Sequence, residues 1–315
     1  MARYIVKRLL YMVLTMWLIT TITFFLMYTL PGDPVQTGVK QLPPTVAHNL
    51  TVKWGFDKPL YVQYLTYMDN LLHGNFGESM KTLGVSANTI IAEAFPHSAR
   101  LGMQALVLSV VAGLLLGVMS AFTRGRLPDQ IVMFIAIIGV SIPSFVVASL
   151  LQIFLGGKLF PIIGWTKPNM SFFTGIRFTV LPTISLAFGS IAVFARFMRS
   201  SALDVLGSDH ILTAKAKGLS DVSIFGRHIF RNSMMPIITI FASQFSGLIT
   251  GSFVIETIFG IPGIGQYYVN CVVQRDFTMI MATTVFFSII FVASIAMMDI
   301  LYVLADPRVR LASEN

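Results

Sequence analysis

Five histidines, one cysteine and fourteen acidic residues are the groups in this 315-residue chain able to ligate a metal, relay a proton or activate a nucleophile. Their spacing builds none of these sites. Cys271 stands alone, which excludes an internal disulfide, and no Cys/His cluster has metal-ligand spacing. Gly156-Gly157-Lys158-Leu159 lacks both the spacing and the hydroxyl of a phosphate-cradling Gly-x-x-x-x-Gly-Lys-Ser/Thr loop. Serines are plentiful, but there is no Gly-x-Ser-x-Gly and no His-Glu-x-x-His. The expectation is a chain with no catalytic residue, no bound cofactor and no metal.

The densest polar stretch, Gly207 to Pro236, suits contact rather than catalysis. Asp209 is placed to cap a helix, and Gly218 supplies a residue able to take the left-handed conformation just past its end. Ser220 and Asp221 can then cap a second helix at once. Lys215, Lys217, Arg227, His228 and Arg231 make the stretch basic on one side. A helix, a glycine hinge and another helix suit an element that touches a second protein. An ordinary loop between two membrane spans would read the same way, and both readings stay open at this point.

The elements that must position this stretch are apolar. Hydrophobic residues make up 55% of the chain and charged residues 11%, with a mean hydropathy of +0.76. A soluble domain carries about 25% charged residues. Six apolar runs, roughly 9–30, 101–123, 131–155, 178–198, 235–257 and 279–303, are each close to the ~20 residues that cross a bilayer. The first is longer than the core of a secretory signal and precedes Pro31 without a small-x-small cleavage site, so it reads as a retained span. Thirteen of the 22 Lys and Arg residues fall on one side: Arg3, Lys7, Arg8, Arg124, Arg126, Arg196, Arg199, Lys215, Lys217, Arg227, Arg231, Arg308 and Arg310. The positive-inside rule then places both termini in the cytoplasm. It also accounts for the net charge of +8 without a nucleic-acid partner.

Residues 31–98 form more than a linker. Pro31-Gly32-Asp33-Pro34 turns the chain as it leaves the first span. Pro59 suits the first position of a helix, Leu60 to Leu72 repeat at helical spacing, and Gly74 closes it. Such a helix would pack on the outer ends of the spans, lie at headgroup level or receive an outside partner. Gly113 with Gly117, and Gly247 with Gly251, are spaced for close helix packing. Pro143, in Ser141-Ile142-Pro143-Ser144-Phe145, predicts a kink in the third span, with the flanking serines re-satisfying freed carbonyls. Pro182 lies near the start of the fourth span.

No Lys, Arg, Asp, Glu or His lies deep inside the six runs; Arg100, Arg196 and Glu256 are at span ends, and Asp299 is about a turn from one. Proton relays and ion-coupled pumps normally need such groups. Uphill transport by this chain would therefore draw its energy from another subunit.

At this point Thr213-Ala214-Lys215-Ala216-Lys217-Gly218-Leu219-Ser220, with Arg227-His228 and Arg231-Asn232 before Pro236, resembles the cytoplasmic loop of binding-protein-dependent ABC importer permeases. The similarity is to the oligopeptide/dipeptide/nickel branch, in which Leu212-Thr213-Ala214 and Phe230-Arg231 stand at the Glu-Ala-Ala and Leu-Pro positions of the wider family. Asp57-Lys58-Pro59-Leu60, Phe76-Gly77-Glu78-Ser79, Ile261-Pro262-Gly263-Ile264-Gly265 and Asp306-Pro307-Arg308-Val309-Arg310 extend the resemblance along the chain, to the first of the two peptide permease subunits.

The resemblance implies an all-α polytopic membrane protein of type I ABC importer architecture, N-in and C-in, in the cytoplasmic membrane. A first span with its extracytoplasmic segment (1–98) would precede a permease domain (99–305), which carries a coupling loop at 200–234, and a cytoplasmic tail (306–315). It implies as partners a second homologous permease subunit, two ABC ATPase subunits that use ATP and Mg, an external peptide-binding protein and membrane lipid. The coupling residues would be Leu212, Thr213, Ala214, Lys215, Ala216, Lys217, Gly218 and Leu219, with the helix around Ala214 and Gly218 inserted in a groove on the ATPase. Ser141, Pro143, Ser144 and Ser185 are candidates to line the pathway. Permeases for nickel or other cargo share these motifs. An ion-coupled secondary carrier, or an assembly protein without transport, are readings of a different class.

Overall fold

The computed structural model describes residues 2–29, 43–82, 84–166, 170 and 172–305, with backbone alone for 2–5, 44, 172–173, 221–222, 227 and 303–305. The Pro31–Pro34 turn, Lys40, and the 306–315 tail with Arg308 and Arg310 lie outside the described residues, as do the side chains of Arg3 and Arg227. In chain order the helices are α1 (Ala2–Thr29), α2 (Pro44–Trp54), α3 (Leu60–Leu72), α4 (Ala87–Phe122), α5 (Leu127–Ser141), α6 (Ser144–Leu155) and α7 (Phe172–Leu206). Then come α8 (Asp209–Ala216), α9 (Asp221–Ile224), a π-helical turn (Phe225–Phe230), α10 (Arg231–Ile249), α11 (Phe253–Phe259), α12 (Ile264–Gln274) and α13 (Phe277–Ala305). No strand occurs among the described residues.

Four stretches are long and apolar enough to cross a membrane unbroken: Val6–Thr29, Ala87–Phe122, Thr174–Leu206 and Phe277–Tyr302. Two bent pairs, α5 with α6 and α10 with α11, bring the count to six when each is one crossing. Counted in that way they match the six expected spans, with the third and fifth broken rather than continuous. In the third the expected kink is a full interruption, with the two limbs at 109°. Pro143 clashes with helical geometry at the residue before it. Ile142 is accordingly extended (φ −89°, ψ 124°), and α6 restarts with Pro143 in the capping position. In the fifth, Gly251 takes φ +85° and Ser252 caps α11, giving a 47° bend.

The helices also run past the apolar runs. Asn88, Glu93, His97 and Arg100 end the apolarity of the second run without ending α4, which starts where the Ser86 hydroxyl accepts the Asn88 N–H at 3.2 Å.

Residues up to His97 together with Gly263–Val292 form one compact unit. Its core gathers Met80, Ile90, Ile91, Ala94, Ile264, Cys271, Phe277 and Ile280. Helix α3 packs on α1 through rings: Tyr64 lies edge-on to Phe24 and stacks on Phe25, and its hydroxyl meets that of Thr21 at 2.8 Å. The helix starts one residue later than expected, with Pro59 before it rather than first in it. Asp276 is buried and accepts from the Ser79 hydroxyl, the Met80 N–H and the Met279 N–H, so one carboxylate caps α13 and pins the 79–81 turn.

Ser98–Pro262, with residues from Ala293 on, form the second unit. Helix α7 is its centre, packing against α5, α6, α10, α11 and the π turn. A Cβ on Gly113 or Gly117 would sit 2.5 Å from Phe194 or 2.6 Å from the Ala195 carbonyl, so this pair packs α4 on α7 as expected. The second spaced pair does not act this way. Gly247 faces open space and Gly251 belongs to the helix break.

Candidate functional site

The helix–glycine–helix forms as expected around Gly218, with one change at its start. Ser208, not Asp209, occupies the capping position, with extended backbone (φ −88°, ψ 149°), and its carbonyl accepts the Ile211 N–H at 3.0 Å. Asp209 is the first helical residue, where its charge faces the positive end of the helix dipole. At the other end Gly218 has φ +74°. Its N–H meets the Lys215 carbonyl at 2.9 Å and the Leu219 N–H meets Ala214 at 3.3 Å, the double bond of a Schellman stop. Ser220 caps the next helix through the Ser223 N–H at 3.4 Å. That helix is not a short separate piece: α9, the π turn and α10 run on without a break from Asp221 to Ile249. A π turn inserts an extra residue into the helical repeat and often marks a functional joint.

Burial divides the residues of α8 into two faces. Ile211 and Ala214, three apart, are 0% and 5% exposed and pack on Ala121, Ala202, Ile224 and Ile229. Burying an isoleucine of this kind is worth about 1.5–3 kcal/mol, which favours this seating of the helix. Leu212 is 60% exposed and Leu219 37%, and Thr213, Lys215, Ala216 and Lys217 are exposed beside them. Ala214 is covered by its own chain and helps seat the helix, while the apolar side chains left exposed here are Leu212, Ala216 and Leu219.

The bundle end behind α8 carries a polar cluster that sequence reasoning missed. Asp129, in the first turn of α5, receives both arms of the Arg199 fork, Nε at 2.7 Å and Nη2 at 2.8 Å. The Ser120 hydroxyl and the Gly125 N–H donate to its two oxygens as well. Its signal in sequence is faint: a lone acid behind Pro128 in an otherwise basic turn. Glu256 is a second surprise. Expected at a span end, it is fully buried within α11 and accepts from the Ser98 hydroxyl at 2.7 Å, where a Cβ on Gly251 would lie 2.3 Å from its oxygen.

Three of the four candidate pathway residues meet at the break in the third span. Ser141 is exposed and returns its hydroxyl to the Ile137 carbonyl at 2.8 Å, Pro143 is exposed, and Ser144 is half-buried. Ser185 is elsewhere. It is fully buried within α7 and bonded to the Leu181 carbonyl at 2.8 Å, so it lines no open path in this conformation. Ser185 lies on the packed side of α7, with Leu181 one turn before it also buried.

No three His, Cys, Asp or Glu side chains gather at metal-binding range among the described residues. The described chemistry here is apolar contact, ion pairing and capping on a membrane bundle. A family model described as the binding-protein-dependent transport system inner membrane component matches residues 113–311, and its N-terminal counterpart matches residues 1–101. The chain belongs to this permease family. The dipeptide transport system permease protein DppB of Bacillus subtilis (strain 168) is 43% identical over 315 residues, covering 99% of both chains. DppB of Lactococcus lactis subsp. cremoris (strain MG1363) is 42% identical over 313 residues, 99% of this chain and all of the relative. The oligopeptide transport system permease protein OppB of Escherichia coli (strain K12) is 39% identical over 311 residues, 98% of this chain and all of the relative. As a permease of this family, the protein is a multi-pass component of the inner membrane.

Proposed function

We propose that this permease is one of two non-identical membrane subunits of an ATP-driven importer that takes up peptides by alternating access. An external binding protein delivers the peptide and two ATPase subunits bind on the cytoplasmic side. Both termini face the cytoplasm, in keeping with the Lys and Arg distribution. The observation that carries the reading is the near-full-length identity with dipeptide permeases, with Leu212 on α8 and Leu219 just past its Gly218 stop exposed to solvent at the basic end of the bundle. The chain hydrolyses no ATP itself and serves as the moving part. Leu212, Ala216 and Leu219 would enter the ATPase groove, and Lys215 and Lys217 at its rim would speed encounter more than they add affinity.

The hinge supplies the test. A valine at position 218 must take φ +74°, a left-handed conformation that costs a residue with a Cβ about 1–2 kcal/mol, though nothing lies within 4 Å to clash with it. Gly218→Val should therefore leave the permease in the membrane but reorient Leu219 and weaken coupling. Purified complex carrying it should show reduced peptide-stimulated ATP hydrolysis and uptake. Unchanged values for both would refute the lever reading.

A further inference from the structure

Helix α5 packs closely on α7. Gly139 lies so close to α7 that a Cβ there would be 2.8 Å from that of Ala192, and Gly189 approaches the Gly139 carbonyl in return. Smooth contacts of this kind resist separation but allow two helices to slide, the motion seen in shear rearrangements. The Asp129–Arg199 pair adds what packing lacks. Two parallel N–H···O bonds at 2.7 and 2.8 Å, with Ser120 and Gly125 on the same carboxylate, fix the axial register of α5 against α7 at one point. The Asp129 side chain is 5% exposed and that of Arg199 25%. A buried pair is weak evidence for stability as such, because desolvation offsets most of the attraction; its directional geometry is the better-founded role.

The position of the pair gives that geometry a use. Helix α8 rests on Ala121 and Ala202, which adjoin Ser120 on α4 and follow Arg199 by one turn on α7. A push on α8 is therefore delivered to the ends of α4 and α7. From there it reaches α5, the first limb of the broken span, by two routes, the short 123–126 turn that follows α4 and the Asp129–Arg199 contact with α7; the far end of α5 is the 109° break at Ile142–Pro143.

We propose that Asp129 and Arg199 are the positioning pair that makes α5 follow α7, so that movement of α8 reaches the break in the third span. The inference rests on the reading of α8 as the ATPase contact. The pair touches no cargo; it sets how much peptide moves per ATP consumed.

The test uses the complete importer in proteoliposomes, with labelled peptide uptake and ATP hydrolysis measured on one preparation. Asp129→Asn keeps the shape and removes the charge. Arg199→Lys keeps the charge and loses the fork. The expected result for Asp129→Asn is full subunit stoichiometry, ATP hydrolysis within about twofold of the parent and peptide transported per ATP lowered at least about tenfold, with Arg199→Lys intermediate. Peptide per ATP within about twofold of the parent in both variants overturns the inference. So does parallel loss of hydrolysis, uptake and subunits, which marks a merely structural pair. A parent complex without ATP-driven uptake would overturn the underlying reading and this inference with it. A coupled parent with equally coupled variants would overturn this inference alone.

Discussion

Leu212 and Ala214 are two residues apart and have opposite fates. One is 60% exposed, the other 5%, because α8 turns Ile211 and Ala214 onto its own bundle. Leu212→Asp should therefore remove an apolar anchor without unfolding anything. At an interface centre such a loss is worth about 2 kcal/mol, so co-purification of the ATPase subunits should fall at least about tenfold while the thermal midpoint of the permease stays put. Retained co-purification would move the contact off this face. Cys271 offers a second residue-scale check. It is 5% exposed, its thiol donates to the Tyr268 carbonyl at 3.0 Å, and burial pushes its pKa up to about 12. Since the thiolate is the reactive species, maleimide labelling at pH 8 should be slow in the folded protein and fast once it is denatured. Fast native labelling would contradict the packing of α12. Nearby, burial lowers the Lys81 pKa, and the charge of Asp276 only partly offsets it.

Among the elements, the breaks matter more than the helices. Pro143 was legible as a kink because proline restricts the residue before it, but the full interruption and its angle were not, since they depend on α6 finding its own place on α7 and α11. Gly251 looked like half of a packing motif; only its φ of +85° and the nearness of Glu256 and Ser98 reveal a hinge. Helix α2 was not expected, whereas α3 was, since its apolar spacing and Pro59 stand out in a polar segment. The remaining motif behaves as written: Gly113 and Gly117 press α4 onto α7. Gly113→Val should force that contact apart and destabilise the permease by about 1–3 kcal/mol, which a lowered thermal midpoint in detergent would report. Gly247→Val, with nothing within 4 Å of its Cβ, should be close to neutral for packing. Equal effects at both positions would contradict the assignment of α4 on α7.

At the scale of the whole molecule, six crossings and the position of the helix–glycine–helix were readable because the membrane allows few solutions: about 20 apolar residues per span, with polar residues left for the ends. In sequence Asp129 does not stand out, Arg199 reads as one more basic residue and Glu256 as a span end, because each lies near the end of an apolar run; only the assembled bundle shows their partners on other helices. For Ser185 the sequence shows only a hydroxyl within a span; its burial and its bond to the Leu181 carbonyl appear only in the packed bundle. The second unit contains the packed helix α7, two bent helix pairs and a seated helix with an exposed face, parts that suit the proposed conversion of an outside push into movement of a membrane path. Tracer peptide uptake into proteoliposomes tests this account most directly, with the permease reconstituted alone, with its partner permease, and with partner permease, ATPase subunits and binding protein together. The account predicts accumulation only in the complete set and only with ATP. Accumulation by the permease alone, driven by an ion gradient, would contradict it.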